Sequence, residues 1–328
     1  MLSKSKRILL YIFLCKTMLF IPYALSNLAK EKIVICTAAD DKYFDLLLNL
    51  IGSLHRINFN ELKEIAVYNL GLNNENRKVL ARIKKLQLYN VEMTHPDLLK
   101  RFVISKEQKS VPGWYAWKPV IIKQTLDKFP VVLYLDAGNT VLQPLDDLFK
   151  HIEQNGYFLM SVYHNIRWCT TKIVIDRFNL QSDERKFILD DQTLSISANI
   201  IGGSRKIYNS LILPMYNLTK DLRYFADDGS TPDGFGTCRH DQTLWSIYAR
   251  LLGLDVKLPG WMKLNINNKP VKFHSHWIPH ELNEHTAIYQ SRWDSLSIEQ
   301  LEGLKITKEN IFNLSRFIKY KEGNDGKN

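Results

Sequence analysis

The stretch VVLYLDAGNTVLQPLDDLF, from Val131 to Phe149, decides the fold class of this 328-residue chain. Its first five residues, Val131 to Leu135, form an unbroken aliphatic and aromatic run, which is typical of a strand buried on both faces of a parallel sheet. The run ends at the carboxylate of Asp136, and the small residues Ala137 and Gly138 follow. Because ligands of open α/β sheets bind beyond the carboxyl ends of the strands, the pattern predicts a binding site at Asp136.

Strand patterns alternate with helical patterns on both sides of this stretch. The alternation predicts an α/β fold with a Rossmann-like, mostly parallel central sheet, flanking helices and an elaborated C-terminal half. No internal repeat or linker composition interrupts the sequence, so residues 32–318 are expected to form a single domain, followed by a disordered tail at 319–328. The predicted strands are 32–37, 64–70, 91–95, 131–135, 157–164, 195–203 and 271–277, and the predicted helices are one containing 44–51, then 75–85, 117–126 and 241–252.

The first 26 residues have the composition of a targeting segment. Lys4, Lys6 and Arg7 precede an apolar stretch that Lys16 interrupts, and Ala24-Leu25-Ser26 is a small-x-small site. This pattern predicts a secretory signal peptide. An uncleaved signal anchor is the alternative, with the Lys16 side chain reaching the membrane surface. Both place the protein in the secretory pathway, anchored in the endoplasmic reticulum or Golgi membrane, or secreted.

Charge distribution and motif content argue against a nucleic-acid partner. The formal net charge is +10, but lysines and arginines are interspersed with acids, which suits phosphate-bearing ligands or an anionic membrane surface. The sequence contains no zinc-finger or basic-zipper motif, so no nucleic-acid partner is expected. Cys169 and Cys238 are able to pair if the compartment is oxidising. Sequons at Asn217 and Asn313 are compatible with a secreted glycoprotein.

Five motifs in one order carry a resemblance to a known class of enzyme. They are TAAD (37–40), GWYAWKP (113–119), VVLYLDAGN (131–139), SANIIGG (197–203) and TPDGFGTCRHDQTLWSIYARLLG (231–253). Together they resemble the A-fold (GT-A-like) nucleotide-sugar glycosyltransferases, in particular an uncharacterised secretory hexosyltransferase-like domain family and, more distantly, the glycogenin-like transferases. The resemblance extends from about Lys32 to about Trp293. It implies transfer of a hexose from a nucleotide-diphosphate sugar to a glycan, protein or lipid acceptor.

The resemblance assigns the donor site to residues at the ends of the first strands. Thr37, Ala38 and Asp40 would meet the base and ribose, because small residues let a base lie against backbone and a carboxylate can bond ribose hydroxyls. Trp117 would stack on base or sugar, and Lys118 would reach the diphosphate. The alternatives are that Asp40 or its neighbour only caps a helix, and that Trp117 belongs to the core with Lys118 solvated.

The SANIIGG motif adds two donor-site candidates. Asn199 resembles the asparagine that lines the sugar pocket in this class, and Gly202 would leave room for a ligand. The alternative is that Gly202 and its neighbouring glycine simply end the strand.

A divalent cation is implied by the same resemblance, with one departure. In the A-type fold an Asp-x-Asp motif follows this strand, but here Asp136 is followed two residues later by Gly138, so the second acid is missing. Asp136 with His276 or His274 would hold Mn²⁺ or Mg²⁺, and the two histidines share one face of a late strand. The alternative is that Asp136 accepts a sugar hydroxyl without metal.

The Asp-Gln pairs are the candidate catalytic groups. Asp241 and Gln242 open a helix, and in the resembled class this pair lies at the sugar and acceptor, where it would bind donor hydroxyls or assist transfer. Asp191, in a second Asp-Gln pair, is a further candidate. The structural alternative is that Asp241 is a first-turn acid of its helix.

Two other functions compete with glycosyl transfer. The first is a non-catalytic GT-A-like protein that binds glycans or nucleotides, which the missing second acid favours. The second is a hydrolase or phosphatase with Asp136 as nucleophile, and this function ranks last because Gly138 stands where its second acid is needed.

Overall fold

The computed structural model describes residues 31–104, 109–227, 235–256, 260–263, 270–274, 286–290 and 313–322. The predicted targeting segment 1–26 lies outside these ranges. Within them, no helix has both the length and the apolar character needed to span a membrane.

Strands and helices alternate from residue 33 to residue 90, as the sequence predicts, and later parts of the chain also contain consecutive strands. The strands are β1 Ile33–Ala39, β2 Leu62–Asn69, β3 Leu86–Asn90, β4 Arg101–Ile104, β5 Lys109–Pro112, β6 Val131–Leu135, β7 Asn139–Val141, β8 Tyr157–Asn165, β9 Leu194–Ser204, β10 Gly260–Lys263, β11 Pro270–His274 and β12 Thr286–Gln290. The helices are α1 Phe44–Asn58, α2 Asn74–Ala81, α3 Trp117–Lys128, α4 Asp146–Asn155, α5 Lys172–Arg177, α6 Ser182–Ile188, α7 Leu213–Leu218 and α8 Asp241–Leu251.

Six strands form the central sheet in the order β3-β2-β1-β6-β9-β8. The pairs β3–β2, β2–β1 and β1–β6 are parallel. β9 is antiparallel to both of its neighbours, so β8 points the same way as β6 and β9 is the reversed strand of this sheet. The predicted α/β fold with a mostly parallel central sheet and flanking helices is therefore confirmed.

Side-chain alternation gives the sheet two buried faces. Ile35 and Leu133 lie on the face covered by α1 and α4. Cys36 and Tyr134, their neighbours along the same strands, lie on the opposite face, which α3 and α8 cover. Because successive residues of a strand point to opposite faces, both faces need apolar side chains, which explains the unbroken apolar runs of β1 and β6.

The C-terminal half returns to the carboxyl end of β6. A second, four-stranded sheet has the order β10-β11-β12-β7. Its strand β7 begins at Asn139, which pairs with Gln290, while Thr140 pairs with Tyr289. The elaborated second half is thus joined to the segment that directly follows Asp136.

The predicted strand at 91–95 is wrong in position. The observed strand β3 ends at Asn90, which pairs with Asn69, the last residue of β2. The chain turns after Asn69 because the side-chain oxygen of this residue accepts hydrogen bonds from the amides of Gly71 and Leu72, at 2.9 and 2.7 Å. Beyond Asn90 no partner strand remains, and Val91 is buried without being part of the sheet.

The predicted disordered tail is also wrong for its first residues. The amide of Lys319 donates to His55 Nδ1 at 2.9 Å, and the amide of Lys321 donates to the carbonyl of Arg82 at 2.7 Å. Tyr320 forms a β-bridge with Ile83. The ordered domain therefore includes the first residues of the expected tail, and residues 323–328 lie outside the described ranges.

Candidate functional site

A cleft opens where the direction of chain progression reverses. The chain proceeds from β1 outward to β3 and then returns to β6 on the other side of β1, so the switch point lies between β1 and β6. Ligands of open α/β sheets bind at such points. The cleft has an empty volume of about 570 Å³, which includes space open to solvent. It is lined by Ala38, Ala39, Asp40, Tyr43, Leu70, Arg101, Ser110, Val111, Pro112, Tyr115, Trp117, Lys118, Asp136, Ala137 and Gly138.

Asp136 stands at the end of β6 with its backbone held on both sides. Its amide donates to the carbonyl of Asn199 at 2.9 Å, and its carbonyl accepts from the side-chain amide of Asn139 at 3.1 Å. Its Oδ1 accepts a hydrogen bond from the Tyr134 hydroxyl and pairs with Lys118 Nζ at 2.9 Å. The carboxylate therefore reaches the cleft with one oxygen already engaged.

Lys118 lies in the first turn of α3 and is 4% exposed. Its Nζ is 2.9 Å from Asp136 Oδ1, 3.8 Å from Asp241 Oδ2 and 3.2 Å from the carbonyl oxygen of Ala198. The rings of Tyr115, Trp117 and Tyr134 surround it, with centroids 5.2, 5.9 and 5.4 Å from Nζ. The structure thus brings Lys118, Asp136 and Asp241 together, and the alternative of a solvated Lys118 is wrong.

Asp241 is the first residue of α8 and is 2% exposed. Its Oδ2 has no hydrogen-bond partner. Burial raises the pKa of Asp241 to about 7, although Lys118 acts to lower it, while the charge of Asp136 acts to raise it. Asp241 therefore changes its protonation near neutral pH. Its partner candidate Gln242 is half-buried beside it on the helix.

A strained residue sets the direction in which α8 begins. His240 has φ 56° and ψ −123°, a conformation that favours glycine. Its Nδ1 lies 2.7 Å from the carbonyl oxygen of Phe225, and its amide donates to Cys238 Sγ at 3.3 Å. The hydroxyl of Thr243 donates to the carbonyl of Cys169. These contacts hold the helix start, and with it Asp241, against Lys118.

Asp40 combines a capping role with a place on the cleft wall. Its Oδ1 accepts from the amide of Tyr43 at 3.3 Å, which makes it the N-cap of the helical turn Asp41–Tyr43. Its Oδ2 pairs with Arg101 Nη1 at 2.8 Å. The capping alternative therefore holds for Asp40, which also lines the cleft. Thr37 lies wholly buried within β1 and does not line it.

Two donor-site candidates of the SANIIGG motif have different positions. Asn199 is buried beside Asp136, and its Oδ1 accepts from the Ser197 hydroxyl at 2.5 Å. Gly202 pairs with Leu133 further back in the sheet, away from the cleft lining. A Cβ there would lie 2.6 Å from a carbon of Ile152, so Gly202 allows α4 to pack closely on β9.

Asp191 lies in an exposed turn before β9, where its Oδ1 accepts from Asn165 at 3.4 Å, and it does not line the cleft.

His276 lies outside the described residues. His274 ends β11 opposite Tyr289, which in turn pairs with Thr140. Two inter-strand spacings separate His274 from Thr140, about 10 Å between Cα atoms. Cys169 and Cys238 are buried free thiols.

The side chains at this cleft do not fit a divalent-cation site. Asp136 Oδ1 is engaged by Lys118 and Tyr134, and Gly138 offers no side-chain oxygen where the second acid is expected. Across the described ranges, no three histidine, cysteine or acidic side chains form a group that could hold a metal ion. His276, the predicted partner of Asp136, lies outside those ranges.

Sequence reasoning missed two residues of the site. Tyr134 donates to Asp136, and its position two residues earlier in an extended segment is the available signal, because such residues share a face. Arg101 pairs with Asp40 from the β4–β5 hairpin, and its sequence context carries no signal of that contact.

Comparison with known proteins yields structural similarity only. No family model and no curated protein matches the chain. Core-mannan synthase A (CmsA/Ktr4) from Aspergillus fumigatus, in its Mn/GDP form, is 14% identical over 70% of this chain and 73% of its own, with a TM-score of 0.49. The galactosyltransferase LgtC, in complex with donor and acceptor sugar analogues, is 16% identical over 70% and 73%, with a TM-score of 0.39. Mouse xyloside xylosyltransferase 1 is 11% identical over 69% and 84%, with a TM-score of 0.43. All three scores are below 0.5, so the functional assignment rests on the geometry of the site.

Proposed function

We propose that this protein is a glycosyltransferase that transfers a hexose from a nucleotide-diphosphate sugar to a glycan, protein or lipid acceptor in the secretory pathway. The observation that carries the proposal is the buried Lys118 ammonium, which lines the cleft at the switch point and stands between Asp136 and Asp241. The motif order of a GT-A-like transferase supports it.

The cleft has residues suited to the base, the ribose and the diphosphate of such a donor. The small side chains of Ala38 and Ala39 leave room for a base against the backbone, and Asp40 brings a carboxylate to the ribose. Tyr115 and Trp117 line the same cleft beside Lys118, with ring centroids 5.2 and 5.9 Å from its Nζ. The ammonium of Lys118 is a point charge suited to the diphosphate.

Glycosyl transfer needs a positive charge beside the departing diphosphate. Transfer breaks the bond between the anomeric carbon and a phosphate oxygen, and negative charge grows on the departing diphosphate. A positioned, poorly hydrated ammonium stabilises that charge more strongly than water does. Asp241, whose pKa is about 7, holds a proton part of the time at neutral pH and sits 3.8 Å from the same ammonium. Asp241 is therefore suited to hold the Lys118 ammonium in place, and its own protonation depends on that charge.

The test is turnover of a panel of UDP- and GDP-hexoses by the full-length chain, with glycan, peptide and lipid acceptors and detection by mass spectrometry. We expect one donor to be transferred, and Asp136→Asn to lower its transfer by roughly 100-fold, as removal of a positioned polar group does. Asp127→Asn is the matched control, because Asp127 forms a surface pair with Lys123 on α3.

A second function is favoured by one observation. Asp136 is already paired with Lys118 and lacks a second acid at Gly138, which suits a non-catalytic GT-A-like protein that binds glycans or nucleotides. Binding of UDP or GDP by calorimetry, together with neither transfer nor hydrolysis of any donor in the panel, would establish this function and refute the transferase.

A further inference from the structure

We propose that the ammonium of Lys118 is the counter-charge for the donor diphosphate and that this site works without a divalent cation. The inference rests on the proposed function, because it concerns the donor of that reaction. It departs from the Mn²⁺ or Mg²⁺ that Asp136 and a histidine would hold.

The first support is the occupation of Asp136. Its Oδ1 accepts from Tyr134 and from Lys118, whose Nζ is 2.9 Å away. Bonds from Mg²⁺ to oxygen are about 2.1 Å long, so such a cation on the same oxygen would lie within about 5 Å of the ammonium nitrogen. Two positive centres at that distance repel each other in a poorly solvated site.

The second support is the composition of the cleft beyond Asp136. A hard cation prefers several oxygen ligands. The residues that follow, Ala137 and Gly138, line the cleft without a side-chain oxygen. Asp40 also lines it, but Arg101 pairs with its Oδ2 at 2.8 Å. Each carboxylate of the cleft lining thus already has a protein cation.

The third support is the permanence of the Lys118 position. Lys118 is 4% exposed, and its Nζ donates to the carbonyl of Ala198 at 3.2 Å while facing two carboxylates. An isolated buried ammonium would be costly, whereas a paired one is held in place. The charge is therefore part of the folded protein and stands in the cleft wall before the donor arrives.

The reaction balances with these groups alone. The bond from the anomeric carbon to the phosphate oxygen breaks, and its electron pair stays on the nucleoside diphosphate beside Lys118. A new bond forms between the anomeric carbon and the acceptor oxygen. The acceptor hydroxyl loses its proton, so the products are the glycoside, the nucleoside diphosphate and one proton.

The experiment measures transfer and, separately, calorimetric binding of UDP and GDP, each in excess chelator and in added Mn²⁺. The variants are Lys118→Gln, which removes the charge, Lys118→Arg, which keeps a charge, and Lys123→Gln as the control, since Lys123 pairs with Asp127 on the outside of the same helix. Thermal melting of each variant shows whether it folds.

We expect the wild type to bind nucleotide and to transfer equally well with chelator and with Mn²⁺. Lys118→Gln should lose roughly 100-fold or more of the transfer rate, and Mn²⁺ should not restore it. Lys123→Gln should behave as the wild type does. Nucleotide binding in chelator that weakens in Lys118→Gln supports the inference even if no donor is transferred, in which case only the proposed function fails.

Loss of wild-type transfer or nucleotide binding in chelator, with recovery on addition of Mn²⁺, would overturn the inference while leaving the transferase intact. The absence of UDP and GDP binding in chelator would also overturn it. These wild-type measurements decide whether the site needs a divalent cation even if Lys118→Gln does not fold, and Lys118→Arg then tests the role of the charge.

Discussion

Lys118 makes the buried carboxylate of Asp241 and the half-buried carboxylate of Asp136 compatible with one another. Asp136 and Asp241 both face its ammonium, at 2.9 and 3.8 Å. Without that charge, two acids would share a poorly solvated place, which is strongly unfavourable. One consequence is visible in Asp241, the more buried of the two acids, whose pKa is raised to about 7 chiefly by burial.

Asp241 should make stability depend on pH in a defined direction. Its folded pKa of about 7 lies above the ordinary value of 3.8. The native state therefore binds more protons than the unfolded state between these values, so this residue's contribution to stability falls as pH rises from about 4 to about 7. We expect Asp241→Asn to remove this part of the pH dependence. Urea unfolding at pH 5 and pH 7, for the wild type and the variant, measures it.

The same variant tests the catalytic assignment. Asn has nearly the same shape as Asp, so the fold should persist, while transfer should fall by roughly 100-fold if the carboxylate acts in the reaction. A role in starting the helix alone predicts nearly normal turnover. Unchanged transfer in a folded Asp241→Asn protein would therefore leave Asp241 a structural residue.

At the scale of elements, the connection from β5 to α3 delivers the aromatic wall of the cleft. Gly113, Trp114 and Tyr115 all have positive φ, at 51°, 47° and 64°. The resulting tight turn stacks Trp114 on Phe102, with centroids 4.1 Å apart, and brings Tyr115 and Trp117 to the cleft. Non-glycine residues in this region carry strain, which is frequent at functional sites.

Gly113→Ala should disrupt this turn. The added Cβ would lie 1.9 Å from the carbonyl oxygen of Leu98, and φ is +51°, so backbone strain and overlap together should cost about 3 kcal/mol or more. Gly253→Ala is the matched control, because Gly253 has φ +61° with open space around it, and about 1 kcal/mol is expected. Chemical denaturation gives both values, and equal losses would contradict the close contact at Gly113.

About half of the described strands and helices could be predicted, because periodicity is local. The runs at Val131–Leu135 and Ser195–Gly203 were assigned to strands correctly. Val91–His95 was not, because its assignment depends on where the neighbouring strand β2 ends, at Asn69. A partner strand lies elsewhere in the sequence, so the pattern of one strand does not show where its partner ends.

At the scale of the whole molecule, the last described segment, residues 313–322, packs against α1. A Cβ on Gly52 would lie 1.9 Å from the carbonyl oxygen of Leu314, and the amide of Leu314 donates to Asn49 Oδ1 at 2.9 Å. Lys319 donates from its amide to His55 Nδ1 at 2.9 Å. The segment therefore continues the packing of the sheet's first helix, although it lies more than 250 residues away in the chain.

His55 should make this attachment sensitive to acid. Burial lowers its pKa to about 4 from the ordinary 6.5. The unfolded state therefore binds more protons than the native state between these values, so stability is lost as pH falls from about 6.5 to about 4, by about 3 kcal/mol in all. His55→Gln keeps an acceptor for Lys319 but does not titrate, and its unfolding free energy should change less between pH 7.5 and pH 5. Equal losses in both proteins would contradict this role.

By itself, the sequence determined the α/β class, the buried strand that ends just before Asp136 and about half of the described elements, because side-chain periodicity and small residues at strand ends act locally. Only the tertiary structure decided the contacts of the site. Lys118 precedes Asp136 by 18 positions and Asp241 follows Asp136 by 105, and their meeting depends on α3 and α8 packing on the same face of the sheet. Likewise, the Arg101–Asp40 pair and the placement of Gly202 against α4 depend on packing. Periodicity indicates which side of an element is buried, whereas the identity of the facing residue depends on how the whole chain packs.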